Sequence, residues 1–170
     1  MSDVLTSWNR LPVEEAVREI LPCCGSKVWA DRVAARRPFP DAATLLAASD
    51  ETWRTLAKAD WMEAFRSHPR IGESCTSPSS PPQSLSWSKQ EQQNVTDAGK
   101  AVKIALAEAN RDYEQRFQRI FIVCALDKSG LEILEILRRR QQNSEETELQ
   151  EAAEQQRQIT QMRLKKWLSR

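Results

Sequence analysis

Histidine and glycine are scarce in this sequence. Its 170 residues include one histidine, His68, and four glycines. A metal site built from several histidines is therefore excluded, and no carboxylate motif indicates a metal site of another kind. The low glycine content, together with long stretches of Ala, Leu, Glu, Gln, Arg and Lys, favours helices. We therefore predict an all-α fold.

Long apolar runs and an excess of one charge are also absent. No stretch approaches the roughly 20 apolar residues that a membrane helix needs. Met1–Leu11 lacks the basic start and apolar run of a signal peptide. The formal net charge is +1, and no platform of aromatic and basic residues indicates binding to nucleic acid. We expect a cytoplasmic protein that binds neither nucleic acid nor membranes.

The spacing of the cysteines gives no sign of a redox or zinc site. Cys23, Cys24, Cys75 and Cys124 lack the C-x-x-C arrangement of either, and we expect reduced thiols. The glycine-rich motifs that bind nucleotides and the G-x-S-x-G motif of serine hydrolases do not occur. No cofactor or nucleophile motif can therefore be read from spacing alone.

Caps, prolines and apolar spacing predict the helices of the first part of the chain. The first predicted helix begins near Pro12 and is ended by Pro22 and Gly25. The helices that follow are expected over about Ser26–Arg36, Asp41–Ala48, Asp50–Ala57 and Trp61–Arg66. Asp41 and Asp50 are the expected N-caps of two of them.

A change of composition from Gly72 to Trp87 predicts a break in the helical pattern. The Ser-Pro-Ser-Ser-Pro-Pro run at 77–82 cannot continue a helix, so we expect a surface loop there. Ser88 and Glu91 match the S-x-x-E capping box. A long central helix is therefore predicted to begin at Ser88.

The rest of the chain predicts two further helices. Ser129 with Glu132 is a second capping-box match that opens one helix, and the last helix is expected over Glu145–Leu168. The apolar run Phe117–Ala125 fits a buried strand and a buried helix segment equally well. In all, we expect a single domain over residues 1–170, a bundle of about seven to nine helices with the Pro/Ser-rich loop before the central helix.

Arg163 interrupts the apolar stripe of the last helix. At about 100° per residue it falls among Leu149, Ala152, Ala153, Gln156, Ile159, Thr160 and Trp167. A buried unpaired charge is costly, so an inward arginine needs a partner. Either it forms a structural salt bridge or extends its head group to solvent, or it binds an anionic or carbonyl-rich ligand. For Arg138–Arg140, the helix dipole and solvent at a helix end are sufficient explanation.

His68 and Glu91 are two further candidates for chemistry. His68 precedes Pro69, just past a predicted helix end, and is the only side chain expected to titrate near neutral pH without a shift. It is either a structural or surface histidine or a group that transfers protons. Glu91 is either the third residue of a capping box or a carboxylate beside a ligand at a helix N-terminus.

Several short segments occur in a familiar order along the chain. They are R-P-F at 37–39, H-P-R-I-G at 68–72, S-K-Q-E-Q at 88–92, F-I-V-C-A at 121–125 followed by Lys128-Ser129, and the last helix from Glu148-Leu149 through Ile159-Thr160 to Arg163-Leu164. Together they resemble the motifs of the 2-oxo-4-hydroxy-4-carboxy-5-ureidoimidazoline (OHCU) decarboxylases, over nearly the whole chain. The chain departs from that pattern at 73–87, which is Pro/Ser-rich, and at Asp127, where a glycine is common.

The resemblance implies an all-α, cofactor-free enzyme, often a homodimer, that decarboxylates a late intermediate of urate breakdown to (S)-allantoin. It implies that His68 is the catalytic acid, that Glu91 is the catalytic glutamate and that Arg163 binds the substrate. The other positions expected to contact the ureidoimidazoline are Pro69, Ser88, Lys89, Gln90, Gln92 and the backbone of Phe121, Ile122, Val123, Cys124 and Ala125.

Two other functions are compatible with the same sequence. A non-catalytic helical interaction module predicts that His68, Glu91 and Arg163 lie far apart and exposed to solvent. The decarboxylase predicts that the three converge on one pocket. An enzyme acting on a related ureide predicts the same pocket with a different substrate preference.

Overall fold

The computed structural model describes residues 3–72 and 82–170. Within these ranges the regular secondary structure is entirely helical, which confirms the predicted all-α fold. The ten helices there are α1 (Asp3–Asn9), α2 (Val13–Cys24), α3 (Lys27–Ala35), α4 (Ala42–Arg54), α5 (Lys58–Arg66), α6 (Pro82–Glu91), α7 (Gln93–Thr96), α8 (Lys100–Phe117), α9 (Gly130–Arg140) and α10 (Glu145–Leu168). None of these described helices is long and apolar enough to cross a membrane.

The chain divides into two compact units. Unit 1 comprises Met1–Ala64 and Arg157–Arg170, and unit 2 comprises Phe65–Gln156. Each unit has its own buried side chains, and each is described separately below. The expectation of a single domain over residues 1–170 stays a prediction.

Tryptophan rings form much of the core of unit 1. Trp8 stacks on Phe39 with ring centroids 6.1 Å apart and meets the edge of Trp167 at 5.6 Å. Its indole Nε1 donates a hydrogen bond of 2.9 Å to the carbonyl oxygen of Ala16. These side chains are nearly fully buried, and aromatic pairs of this geometry add to the free energy gained by burying their area.

Arg37, in the R-P-F segment, has a structural role in unit 1. Its Nε donates to the carbonyl of Ala34 at 2.9 Å. Its Nη1 donates to the carbonyls of Trp8 at 2.6 Å and of Leu11 at 2.9 Å. Desolvation by burial lowers the pKa of this guanidinium from its ordinary value. The arginine thus donates to carbonyl groups at or just past the ends of α1 and α3.

Two expectations for unit 1 are corrected by α2 and α4. Pro22 does not end α2 but lies inside its last turn, and Gly25 ends the helix in the left-handed region at φ 87°. The two helices expected over 41–57 are one helix, α4, capped as predicted by Asp41, whose Oδ1 accepts from Thr44 N at 2.8 Å. Asp50 is not an N-cap and instead pairs with Arg157 at 2.7 Å. The helix continues past the expected break because its buried face is continuous. That face includes Ala48, Ser49, Thr52 and Trp53.

The core of unit 2 forms where α8 and α9 pack with the irregular segment before α9. The ring centroid of Tyr113 lies 4.7 Å from that of Phe117 and 5.2 Å from that of Phe121. The buried residues that cluster with them are Ile71, Val95, Leu106, Ala109, Val123, Ala125, Ile133, Leu134 and Leu137.

The predicted central helix differs from the observed structure. Helix α6 begins at Pro82, a residue favoured in a first helical turn, so Ser88 and Glu91 lie near its end and do not form an N-terminal capping box. The long helix is also interrupted at Gln92 and again before α8, where Gly99 is the N-cap. The interruptions account in part for finding ten described helices where seven to nine were expected. Residues 73–81, with most of the Pro/Ser-rich run and Cys75, lie outside the described residues.

The end of the chain follows the sequence patterns more closely. One expectation there is wrong: the apolar run 117–125 is neither the buried strand nor the buried helix segment that it fitted, because α8 ends at Phe117 with Gln118 in the left-handed region and residues 119–125 are irregular. The Ser129–Glu132 capping box is present with both of its hydrogen bonds. Helix α10 has the predicted bounds, Glu145–Leu168.

Candidate active site

His68 lies just past the end of α5, as predicted. Its backbone N–H donates to the carbonyl of Phe65 at 3.1 Å, and its side chain is half-buried. The ring Nε2 lies 2.7 Å from Oε1 of Gln156, whose side chain is fully buried in α10. The imidazole is therefore held by a second element of unit 2.

The H-P-R-I-G segment that carries His68 is anchored to α8. Arg70 makes a two-point contact with Glu114, with Nε–Oε1 2.5 Å and Nη2–Oε2 2.9 Å. One residue on, the carbonyl of Ile71 accepts from Asn110 Nδ2 at 3.0 Å. Asn110 is buried. These contacts fix the backbone on the C-terminal side of the histidine.

Gly72 connects this segment to the S-K-Q-E-Q segment. Its φ is 81°, a conformation that glycine adopts without steric cost. Its N–H donates to Oε1 of Gln92 at 3.1 Å. Two segments that the sequence analysis singled out separately, 68–72 and 88–92, are thus joined by a hydrogen bond.

The residues of 88–92 differ in their exposure. Ser88 and Gln92 are buried, Glu91 is half-buried, and Lys89 and Gln90 are exposed. Glu91 is the last residue of α6, where a carboxylate meets the unfavourable end of the helix dipole. The argument for Glu91 from a helix N-terminus is therefore wrong. Helix formation gives no reason for a glutamate at this position.

The backbone of Phe121–Ala125 is held by side chains of α9 and α10 and by Lys128, which precedes α9. The carbonyl of Ile122 accepts from Arg140 Nη1 at 2.7 Å. The N–H of Cys124 donates to Oε1 of Gln155 at 2.9 Å, and the carbonyl of Cys124 accepts from Lys128 Nζ at 2.8 Å. The side chains of 121–125 are buried except for that of Cys124, which is half-buried. Residues Gln155 and Gln156 thus hold two of the predicted site segments from adjacent positions of α10.

Arg140 was assigned wrongly from sequence. Arg138 and Arg139 are exposed as expected, but the Arg140 side chain is only 1% exposed and pairs with Glu148, which is fully buried. Glu148 also accepts from the hydroxyl of Tyr113 at 2.5 Å. Burial, and then this hydrogen bond, raise the pKa of the Tyr113 phenol. The available signal was the spacing of Arg140 from Ile133 and Leu137, which places all three on one helix face.

Arg163 lies in unit 1 and is 1% exposed, so the predicted inward position is confirmed. Its Nη1 donates to the carbonyl of Pro22 at 3.3 Å. Burial raises the pKa of the neighbouring Cys23 thiol and raises that of Cys24 to about 12, and the charge of Arg163 opposes both shifts. Burial thus favours the protonated form of both thiols. Convergence of Arg163 with His68 and Glu91 stays a prediction.

The described residues contain no group of three or more His, Cys, Asp or Glu side chains that could hold a metal ion. In the same ranges Cys23, Cys24 and Cys124 form no disulfide. Of the predicted site residues, His68, Glu91 and the segment 121–125 lie in unit 2.

Comparisons with known proteins identify the family of the chain. The sequence model of the OHCU decarboxylase family matches residues 9–165. The chain is 35% identical, over 149 residues, to the uric acid degradation bifunctional protein TTL of Arabidopsis thaliana. That match covers 86% of this chain but only 45% of the relative, so the chain spans less than half of that protein's length.

Solved structures show the same architecture. A crystal structure of OHCU decarboxylase in the presence of (S)-allantoin matches with a TM-score of 0.76 and 29% identity, covering 89% of this chain and 98% of that one. A crystal structure of (S)-allantoin synthase matches with a TM-score of 0.72 and 17% identity, covering 96% of this chain and 53% of that one. The second likeness, at that identity, concerns the fold alone.

Proposed function

Because this chain belongs to the OHCU decarboxylase family, matched over residues 9–165, we propose that it decarboxylates 2-oxo-4-hydroxy-4-carboxy-5-ureidoimidazoline to (S)-allantoin and CO2. The observation that carries the proposal is this match, together with the likeness to an OHCU decarboxylase crystallised with (S)-allantoin. The placement of His68 on an anchored segment supports it.

The chemistry of this substrate requires no external electron acceptor. Its carboxylate is attached to a carbon that bears a hydroxyl and that adjoins a C=N bond of the ring. When the bond to the carboxylate breaks, its electron pair moves into the C=N system and CO2 leaves. Protonation of the resulting enol-like species on one face gives one enantiomer of allantoin. We therefore propose a reaction without cofactor or metal.

His68 is proposed to transfer protons near the substrate hydroxyl and carboxylate. A positioned acid or base of this kind contributes about 10²–10⁴-fold to the rate. The half-buried ring has one nitrogen held by Gln156, which restricts its orientation. A restricted ring can deliver a proton to one face of a bound intermediate, as a single enantiomer requires.

Glu91 and Arg163 are proposed to bind and orient the substrate. The carboxylate of Glu91 would accept hydrogen bonds from the ring N–H groups or the hydroxyl, and its charge disfavours the bound carboxylate. The guanidinium of Arg163 would form charge-assisted hydrogen bonds to the oxygen atoms. The remaining contacts are assigned to Pro69, Ser88, Lys89, Gln90, Gln92 and the backbone of Phe121, Ile122, Val123, Cys124 and Ala125. Among these, the side chains of Lys89 and Gln90 are exposed.

We also propose a cytoplasmic location and a homodimer. Reduced thiols at Cys23, Cys24 and Cys124 are what a reducing compartment maintains. The homodimer follows from the family resemblance, and its mass in solution can be measured by light scattering. A monomer at every accessible concentration would contradict it.

A coupled assay tests the proposed reaction. Urate, urate oxidase and hydroxyisourate hydrolase generate the unstable substrate in place, and CO2 and allantoin are measured together. We expect equimolar release of both, at a rate proportional to the concentration of this protein. A heat-unfolded sample is the control. Equal rates with folded and unfolded protein would contradict the proposal.

A further inference from the structure

The contact between His68 and Gln156 constrains more than the orientation of the ring. Gln156 is fully buried, and its Oε1 lies 2.7 Å from Nε2 of His68. An amide oxygen only accepts hydrogen bonds, and two acceptor atoms 2.7 Å apart would repel each other, so the ring nitrogen must donate in this contact. A neutral imidazole carries one hydrogen, on either nitrogen. With the oxygen facing Nε2, the stable neutral form is the one with the hydrogen on Nε2.

The proton-transfer role favours the same orientation of the amide. A ring that alternates between neutral and protonated forms carries a hydrogen on Nε2 in its protonated form. The oxygen of Gln156 accepts that hydrogen in both forms, so its hydrogen bond survives the reaction. The NH2 group in the same place would face an N–H once the ring is protonated. An oxygen partner therefore suits a histidine that gains and loses protons.

We infer that Gln156 is a positioning residue that holds His68 in the Nε2–H tautomer, so that Nδ1 is the nitrogen that exchanges a proton with the substrate. The statement about the tautomer stands on geometry alone, whereas the statement about the substrate rests on the proposed function. Gln156 itself contacts the histidine and acts through it.

The neighbouring glutamine supplies a matched control. Gln155 precedes Gln156 on α10 and accepts from the backbone N–H of Cys124 at 2.9 Å, not from the histidine. Gln155→Met and Gln156→Met make the same chemical change at adjacent positions. Methionine keeps a similar length and removes the amide acceptor.

The single histidine makes the tautomer directly measurable. Protein labelled with ¹⁵N in histidine gives one pair of ring nitrogen signals, and long-range ¹H–¹⁵N correlations identify which nitrogen carries the hydrogen. The spectrum is recorded at a pH high enough that the ring nitrogen shifts no longer change with pH, which shows directly that the ring is neutral. We expect Nε2–H in the wild type and in Gln155→Met, and a mixture of both tautomers in Gln156→Met.

The outcomes separate this inference from the proposed function. An Nδ1–H tautomer in the wild type, or an unchanged spectrum in Gln156→Met, overturns the inference whatever the activity. If Gln156→Met does not fold, the wild-type spectrum still decides. If the wild type has the Nε2–H tautomer but releases no CO2 in the coupled assay, the proposed function fails and the positioning role stands. Where both hold, Gln156→Met lowers kcat by roughly ten- to a hundredfold, as loss of the partner that orients a histidine does at metal sites, with KM little changed.

Discussion

Arg140 and Glu148 form a buried ion pair, with Nη2 and Oε1 2.5 Å apart and side chains 1% and 0% exposed. The guanidinium also donates to the carbonyl of Ile122 and lies 4.5 Å from the ring centroid of Phe121. The pair therefore connects α9 and α10 to the segment 121–125, whose backbone is assigned to substrate binding. Its loss should affect both stability and the order of that segment.

Arg140→Met is expected to lower the free energy of unfolding by about 3–5 kcal/mol, because it leaves the buried carboxylate of Glu148 without its cation. Urea denaturation measures the change. Arg138→Met, at an exposed position of the same helix end, should change stability by less than about 0.5 kcal/mol. Equal losses in the two variants would show that the ion pair has no special role.

The double variant Arg140→Met/Glu148→Met tests the same pair from the other side. Removing both charges removes the desolvation penalty together with the attraction, so the double variant should be more stable than Arg140→Met alone. If the losses of stability measured for Arg140→Met and for Glu148→Met simply add in the double variant, the account of an uncompensated carboxylate is incorrect.

Tyr113 should not ionise in the folded protein where tyrosine ordinarily does. Burial and the hydrogen bond to Glu148 raise the pKa of its phenol above the ordinary 10.0. A pKa raised by folding stabilises the protein at pH values below 10, and this contribution is lost as the pH rises towards the folded pKa. Because the chain has one tyrosine, ultraviolet absorbance reports Tyr113 alone. We expect no phenolate signal near pH 10 without denaturant and a normal titration in denaturant; a normal titration in both would contradict the burial.

Gly130, the first residue of α9, is expected to tolerate no side chain. A Cβ there would lie 2.8 Å from Cβ of Ala98 and 3.2 Å from Cγ1 of Val102. Gly130→Ala should therefore cost about 1–3 kcal/mol through overpacking. At Gly99 a Cβ has no neighbour within 4 Å. Gly99→Ala should therefore lower the free energy of unfolding by less than about 1 kcal/mol, because alanine is a weaker N-cap than glycine. Thermal and urea unfolding of both variants compare the two costs, and the reverse order would refute the packing argument.

Asp127 has a φ of 60°, in the left-handed region that glycine adopts most readily. Left-handed backbone costs a residue with a Cβ about 1 kcal/mol or more. Asp127→Gly should therefore be more stable than Asp127→Ala by about that amount. At Glu135, exposed within α9, the order of the Gly and Ala variants should be reversed by about 1 kcal/mol. If the Gly variant were more stable than the Ala variant at both positions, or less stable at both, backbone conformation would not control the preference for glycine.

The sequence predicted those parts of the fold that depend on local signals. The Ser129–Glu132 box and the bounds of α10 are confirmed because cap residues and apolar spacing act within a few turns. The Ser88–Glu91 box is wrong because the same pattern inside a helix that already began at Pro82 has no capping function. Local patterns do not reveal where a preceding helix starts.

The residues of the candidate site were harder to predict from the sequence than the helices. Position alone left a structural and a functional interpretation open for His68, Glu91 and Arg163, and only the family resemblance assigned their roles. Arg140 and Gln156 were not recognised because their partners lie on other elements: Glu148 is on the next helix, and His68 lies far from Gln156 in the chain. Pairings of that kind are set by tertiary packing, which neither periodicity nor spacing reports.

The most direct test of the central claim follows circular dichroism at a wavelength sensitive to allantoin while urate oxidase and hydroxyisourate hydrolase generate the substrate. Parallel samples contain the wild type, His68→Ala or no added protein. We predict rapid formation of (S)-allantoin with the wild type and slow, racemic product in the other two. The same slow, racemic product in all three samples would contradict the decarboxylase account, and full stereoselective activity in His68→Ala would contradict the role of His68.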